Sequence, residues 1–60
     1  MRYEIINYKG FEITKETYKG QTILRAYKFG NLYEKQRYIY YTENEAIKIF
    51  KNHLKTTYNV

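Results

Sequence analysis

Apolar, aromatic and β-branched residues mark a strand from Tyr3 to Tyr8 and a second from Phe11 to about Glu16, and Lys9-Gly10 between them reads as a two-residue hairpin turn that sets the register. In that register Tyr8 faces Phe11 and Ile6 faces Ile13. One face is then apolar and is expected to form the core, while Tyr3, Ile5, Asn7, Glu12, Thr14 and Glu16 share the other. Tyr18-Lys19-Gly20 marks the next turn. A third strand is predicted from about Thr22 to Phe29 and a fourth from about Leu32 to Tyr41, joined by Gly30-Asn31 as a tight loop. That loop places Ile23, Arg25, Tyr27 and Phe29 with Leu32, Glu34, Gln36, Tyr38 and Tyr40 on a mostly buried face. Leu24, Ala26, Lys28, Tyr33, Lys35, Arg37, Ile39 and Tyr41 then form a basic outer face. A slip or bulge of one residue inverts the assignment and exposes Arg25, Tyr27, Tyr38 and Tyr40 instead.

After the strands the period changes to that of a helix. Thr42-Glu43-Asn44-Glu45 is a capping box, in which the threonine and the glutamate three residues on each satisfy the other's free backbone amide. Beyond it Ala46, Ile47, Phe50, Leu54 and Tyr58 fall on one side of a helical wheel, with Lys48, Lys51 and Lys55 on the other. The chain is therefore read as one α+β domain over residues 1–60: a small antiparallel sheet of three or four strands (about 3–8, 11–16, 22–29 and 32–41), with one C-terminal helix (about 43–57) packed on one face.

Composition narrows the function. Sixty residues bury too little surface to be more than marginally stable, and with no cysteine and one histidine neither a disulfide nor a zinc cluster can staple the fold. Absent cysteine fits a reducing cytoplasm, no apolar run approaches a membrane span, and the start at Met1 without a linker is read as a standalone product. With no aspartate, cysteine or serine the usual nucleophile and acid-base triads cannot be assembled, so no enzyme, cofactor or metal is expected. His53, the only candidate base, sits near the helix C-terminus where the dipole favours it, and is read as structural.

The net charge is +5, from eleven basic residues against six glutamates. Its excess lies in the middle of the chain, where Lys19, Arg25, Lys28, Lys35 and Arg37 stand against Glu34 alone. Eight of the nine tyrosines also fall between Tyr3 and Tyr41. Tyrosine offers large contact area at low entropic cost, and arginine and lysine attract phosphates or acidic protein patches. A binding face is expected, with Arg25, Lys28, Tyr33, Lys35, Arg37 and Tyr41 as its candidate residues.

The stretch Tyr40-Tyr41-Thr42-Glu43-Asn44-Glu45-Ala46 resembles the aromatic-x-Thr-x-x-Glu-Ala junction where the last strand meets the helix in the arm-type DNA-binding domains of phage and transposon integrases. The resemblance implies that Tyr40 packs beneath the helix, that Lys28, Lys35 and Arg37 point outward, and that the exposed sheet face meets a DNA groove. Glu12 and Glu16 confine such a contact to the second hairpin. The expected partner is nucleic acid, DNA more than RNA. The alternative is a host protein with an acidic surface, bound by a compact inhibitor or adaptor of the anti-CRISPR or anti-restriction type. Either is compatible with a monomer or with an edge-strand homodimer.

Overall fold

Three glycine-ended turns fold the first two thirds of the chain into a four-stranded antiparallel meander. In the computed structural model, which describes residues 2–59, β1 (Arg2–Tyr8), β2 (Phe11–Tyr18), β3 (Gln21–Lys28) and β4 (Asn31–Ile39) lie side by side in chain order, followed by α1 (Glu43–Tyr58). Both residues of each turn have positive φ: 51° and 86° at Lys9-Gly10, 48° and 76° at Lys19-Gly20, 54° and 77° at Phe29-Gly30. Such pairs belong to type I′ turns, whose twist matches that of the flanking strands. The first hairpin pairs Tyr8 with Phe11 and Ile6 with Ile13, as the Lys9-Gly10 turn predicts.

The second hairpin differs from expectation in two places. Its loop is Phe29-Gly30 and not Gly30-Asn31, so Lys28 pairs with Asn31. Two residues later β4 bulges: Tyr27 pairs with Leu32 but Ala26 with Glu34, which leaves Tyr33 as an extra residue without a β3 partner. The physical cause is the demand of the core. Pairing with β2 sets Ala26 beside Ile13 and Leu24 beside Lys15 on the helix side, so the small and apolar positions of β3 must turn inward. Leu24, Ala26 and Lys28, expected outside, therefore face the helix, while Ile23, Arg25 and Tyr27, expected inside, lie on the opposite face. The bulge shifts β4 by one residue, which keeps Lys35, Arg37 and Ile39 on that opposite face and Tyr38 beneath the helix.

The core is small. Phe11, Ile13, Leu24 and Ala26 from the sheet meet Ala46, Phe50 and Leu54 from α1, edged by Ile6, Tyr8, Tyr38, Ile47 and Tyr58. The capping box forms as read, with Thr42 Oγ1 accepting from the Glu45 amide at 3.1 Å and Glu45 Oε1 from the Thr42 amide at 3.1 Å. These bonds to Thr42 hold the Glu45 carboxyl below its ordinary range. Tyr40 does not pack beneath the helix. β4 ends at Ile39, and Tyr40 leaves the sheet with φ 71° and 98% of its surface exposed, while Tyr41 sets its ring edge-on to Tyr38 at 5.8 Å.

Two polar clusters fix the ends of α1. At its start, Lys15 of β2 lies buried between Glu43 and Glu4, at 2.6 and 3.4 Å. At its end, the Tyr58 hydroxyl donates to Glu34 Oε2 at 2.8 Å, and His53 Nε2 lies 3.1 Å from Glu34 Oε1. The bond from Tyr58, and after it His53, lowers the Glu34 pKa against the opposing effect of burial. His53 is thus a tie between helix and β4 as well as a residue near the helix C-terminus. The bulge serves this end too, since Tyr33 stacks edge-on with Phe11 and Tyr58, each at 5.6 Å between ring centres.

Candidate binding face

The helix covers one side of the sheet, and no layer covers the other among the described residues. Alternation along the four strands decides what that open face carries. The first two strands contribute Tyr3, Ile5 and Asn7 with Glu12, Thr14 and Glu16, and the second two contribute Ile23, Arg25 and Tyr27 with Leu32, Lys35, Arg37 and Ile39. Tyr3, Ile5, Tyr18, Leu32 and Ile39 are all exposed there. Across the strands these apolar residues are interleaved with polar and charged ones, Tyr3 in a row with Glu16 and Arg37 and Ile5 in a row with Thr14, Arg25 and Lys35, so the open face offers both kinds of contact to a macromolecule.

Charge on this face is divided. β2 presents Glu12 and Glu16, whereas β3 and β4 present Arg25, Lys35 and Arg37. Arg25 is directly opposite Lys35, and Arg37 is two residues further along the same face of β4. Arg25 forms an ion pair and hydrogen bond with Glu16 on the neighbouring strand. Among the described residues neither Lys35 nor Arg37 has an anionic partner, and both are exposed. The face therefore offers two free cations and one half-committed one on adjacent strands, with Tyr27 and Leu32 paired beside them.

Of the six candidate residues, the structure brings together Arg25, Lys35 and Arg37. The other three lie elsewhere. Lys28 is half-buried on the helix side, its Nζ 5.2 Å from the centre of the Phe11 ring and 5.9 Å from that of Phe29. Tyr33 belongs to the aromatic cluster with Phe11 and Tyr58. Tyr41 sits in the junction before α1, against Tyr38. Tyr27 and Leu32, expected on the buried face, join the open face along with Tyr3, Ile5 and Tyr18 of the first hairpin.

Other surfaces carry less chemistry. An open groove between Tyr8 and the helix is lined by Glu45, Lys48, Ile49, Asn52 and Lys55, with Lys51 Nζ 5.4 Å from the centre of the Tyr8 ring. Among the described residues no group of three histidine, cysteine or acidic side chains converges to hold a metal, and no helix is long and apolar enough to cross a membrane. No family model, curated protein or solved structure matches the chain.

Proposed function

We propose that this protein binds nucleic acid through the open face of its sheet, with Arg25, Lys35 and Arg37 meeting phosphates and Tyr27 and Leu32 covering the adjoining sugar and base surface. The observation that carries the reading is the placement of Arg25 opposite Lys35, with Arg37 beside them, on an uncovered face. Like charges directly opposite on neighbouring strands destabilise a sheet by roughly 0.2–1 kcal/mol. An anion laid between them turns repulsion into attraction. Glu12 and Glu16 on β2 limit the footprint to β3 and β4.

One observation favours a second reading, a protein partner with an acidic surface. Ile5, Leu32 and Ile39 are exposed aliphatics, which fit a protein groove better than a phosphate backbone. Salt dependence separates the two. Each phosphate neutralised steepens the decline of log affinity with log salt by about 0.9 on duplex DNA. Fluorescence anisotropy with a labelled oligonucleotide is expected to show a slope of about −2.7 for three cations, falling by about 1.8 in the double variant Lys35→Gln, Arg37→Gln. A double variant that binds like the parent sinks the open-face reading. Failure of the parent to bind any nucleic acid leaves the protein-partner reading standing.

A further inference from the structure

The three hairpin turns place a residue with a side chain at positive φ ahead of their glycine: lysine at 9 and 19, phenylalanine at 29. A Cβ resists the left-handed region at all three, and a bulky residue is rarest there. Asparagine, aspartate or glycine would form the same turn with less strain. Lysine in such a place keeps its charge in water. Phe29 instead leaves 88% of its surface exposed, so it adds little to the core and does not ease the turn. Tyr40 is strained and exposed in the same way but stands at the far end of β4; what singles out Phe29 is its place at a hairpin tip with the Lys28 ammonium 5.9 Å from its ring centre, and a strained aromatic so placed points to a function.

Its surroundings are cationic. Lys28, the preceding residue, holds its Nζ 5.9 Å from the Phe29 ring centre. The first turn lies alongside, since a Cβ placed on Gly10 would stand 3.8 Å from Lys28 Cε, and this brings Lys9 to the same end of the sheet. From the tip the open face runs through the Tyr27 and Leu32 pair to Arg25 and Lys35. A strand rise of about 3.3 Å per residue sets Phe29 roughly 13 Å from Arg25 along β3, within the reach of a short stretch of nucleic acid.

Resting on the nucleic-acid reading of the open face, we infer that Phe29 stacks on an unpaired nucleobase while Lys28 and Lys9 meet the adjoining phosphates. The protein then prefers single strands, loops or frayed ends to intact duplex. Every base has a π-face, so the stack carries little sequence preference. In a duplex the bases are hidden from a ring at a hairpin tip unless a step is unstacked, which opposes binding.

The test compares a short single-stranded oligonucleotide containing 2-aminopurine with its duplex, using the parent protein, Phe29→Asn, Phe29→Tyr and the double variant Lys35→Gln, Arg37→Gln. Phe29→Asn is expected to weaken single-strand binding roughly 5- to 100-fold, to abolish the change in 2-aminopurine fluorescence, and to affect the duplex far less. Its thermal midpoint should equal or exceed that of the parent, because asparagine accepts the left-handed region. Phe29→Tyr should bind like the parent. Parental affinity in Phe29→Asn overturns the inference and leaves the open-face reading intact, whereas parental affinity in the double variant overturns the reading beneath it. A parent that ignores every oligonucleotide but binds phosphatidylserine vesicles through Phe29 overturns the inference in favour of a membrane surface.

Discussion

Replacing Lys15 by methionine tests how the helix is seated on the sheet. Only 7% of the Lys15 side chain is exposed, and its Nζ lies 2.6 Å from Glu43 Oε1 and 3.4 Å from Glu4 Oε1. The hydrogen bond to Glu43 is the largest influence on Lys15, raising its pKa above 10.5 against the opposing effect of burial. Withdrawing an ammonium from water costs several kcal/mol even after relaxation. Two charge-assisted contacts return about 1.5–3 kcal/mol each, so the two sides nearly cancel. Methionine keeps most of the stem and removes the cation's desolvation cost together with its two contacts, and the Glu4 and Glu43 carboxylates left behind reach water, so Lys15→Met should leave stability within about 1 kcal/mol of the parent. Lys15→Ala also loses the packed stem and should cost about 2–3 kcal/mol. Glu43→Gln strands the cation on Glu4 and removes an acid from the helix start, for about 1–3 kcal/mol. In a domain of this size 1 kcal/mol moves the thermal midpoint by about 4–8 °C, so unfolding followed by circular dichroism resolves the ranking. Lys15→Met falling as far as Lys15→Ala would refute the reasoning. The pH profile gives a second check. A folded pKa raised above the unfolded one gives stability that is present below pH 10.5 and lost as pH rises through the folded value, so the parent should weaken in alkali more than Lys15→Met does. Tyr38 and Tyr58, both raised above 10.0, add a loss of the same sign in either protein.

Three further outcomes follow from the same contacts. Tyr58→Phe removes the 2.8 Å bond to Glu34 and should lower the midpoint of urea unfolding, while an unchanged midpoint would mean that this tie contributes nothing. Glu34 and Glu45 have folded pKa values below 4.5, so their contribution is present above that pH and lost as pH falls below it; Glu34→Gln should flatten the acid side of the stability profile, and an identical profile would contradict the assignment. Tyr40→Gly relieves a side chain held at φ 71° with almost no contacts and should stabilise by about 0.5–1 kcal/mol, whereas a loss would reveal a role for the ring that its exposure does not account for.

Local signals carried most of the fold. The capping box at Thr42, the inward stripe of Ala46, Phe50 and Leu54, and the Lys9-Gly10 hairpin follow from short-range backbone chemistry and form as expected. The third turn was legible as well. Gly10, Gly20 and Gly30 recur every ten residues, and reading all three as the second residue of an X-Gly turn places the loop at Phe29-Gly30. What short-range chemistry could not supply was the bulge at Tyr33, because it answers to partners far along the chain: Phe11 and Tyr58 for its ring, and Glu34 tied to His53 and Tyr58 beside it. A shift of one residue moves every later side chain across the sheet. The bulge brings Lys35 and Arg37 onto the face of Arg25 and Tyr27, while the pairing of β3 with β2 turns Lys28 to the helix side; with Tyr33 in the aromatic cluster and Tyr41 beyond the sheet, half the candidate residues lie away from the other half.

The most direct test of the open-face account is a two-dimensional NMR titration of the protein with a short oligonucleotide at physiological salt. The account predicts that amide and side-chain shifts concentrate on Arg25, Tyr27, Leu32, Lys35 and Arg37, leaving Lys48 and Lys55 on the solvent side of α1 in place. Shifts that gather on the helix lysines, or on the groove between Tyr8 and α1, would contradict it.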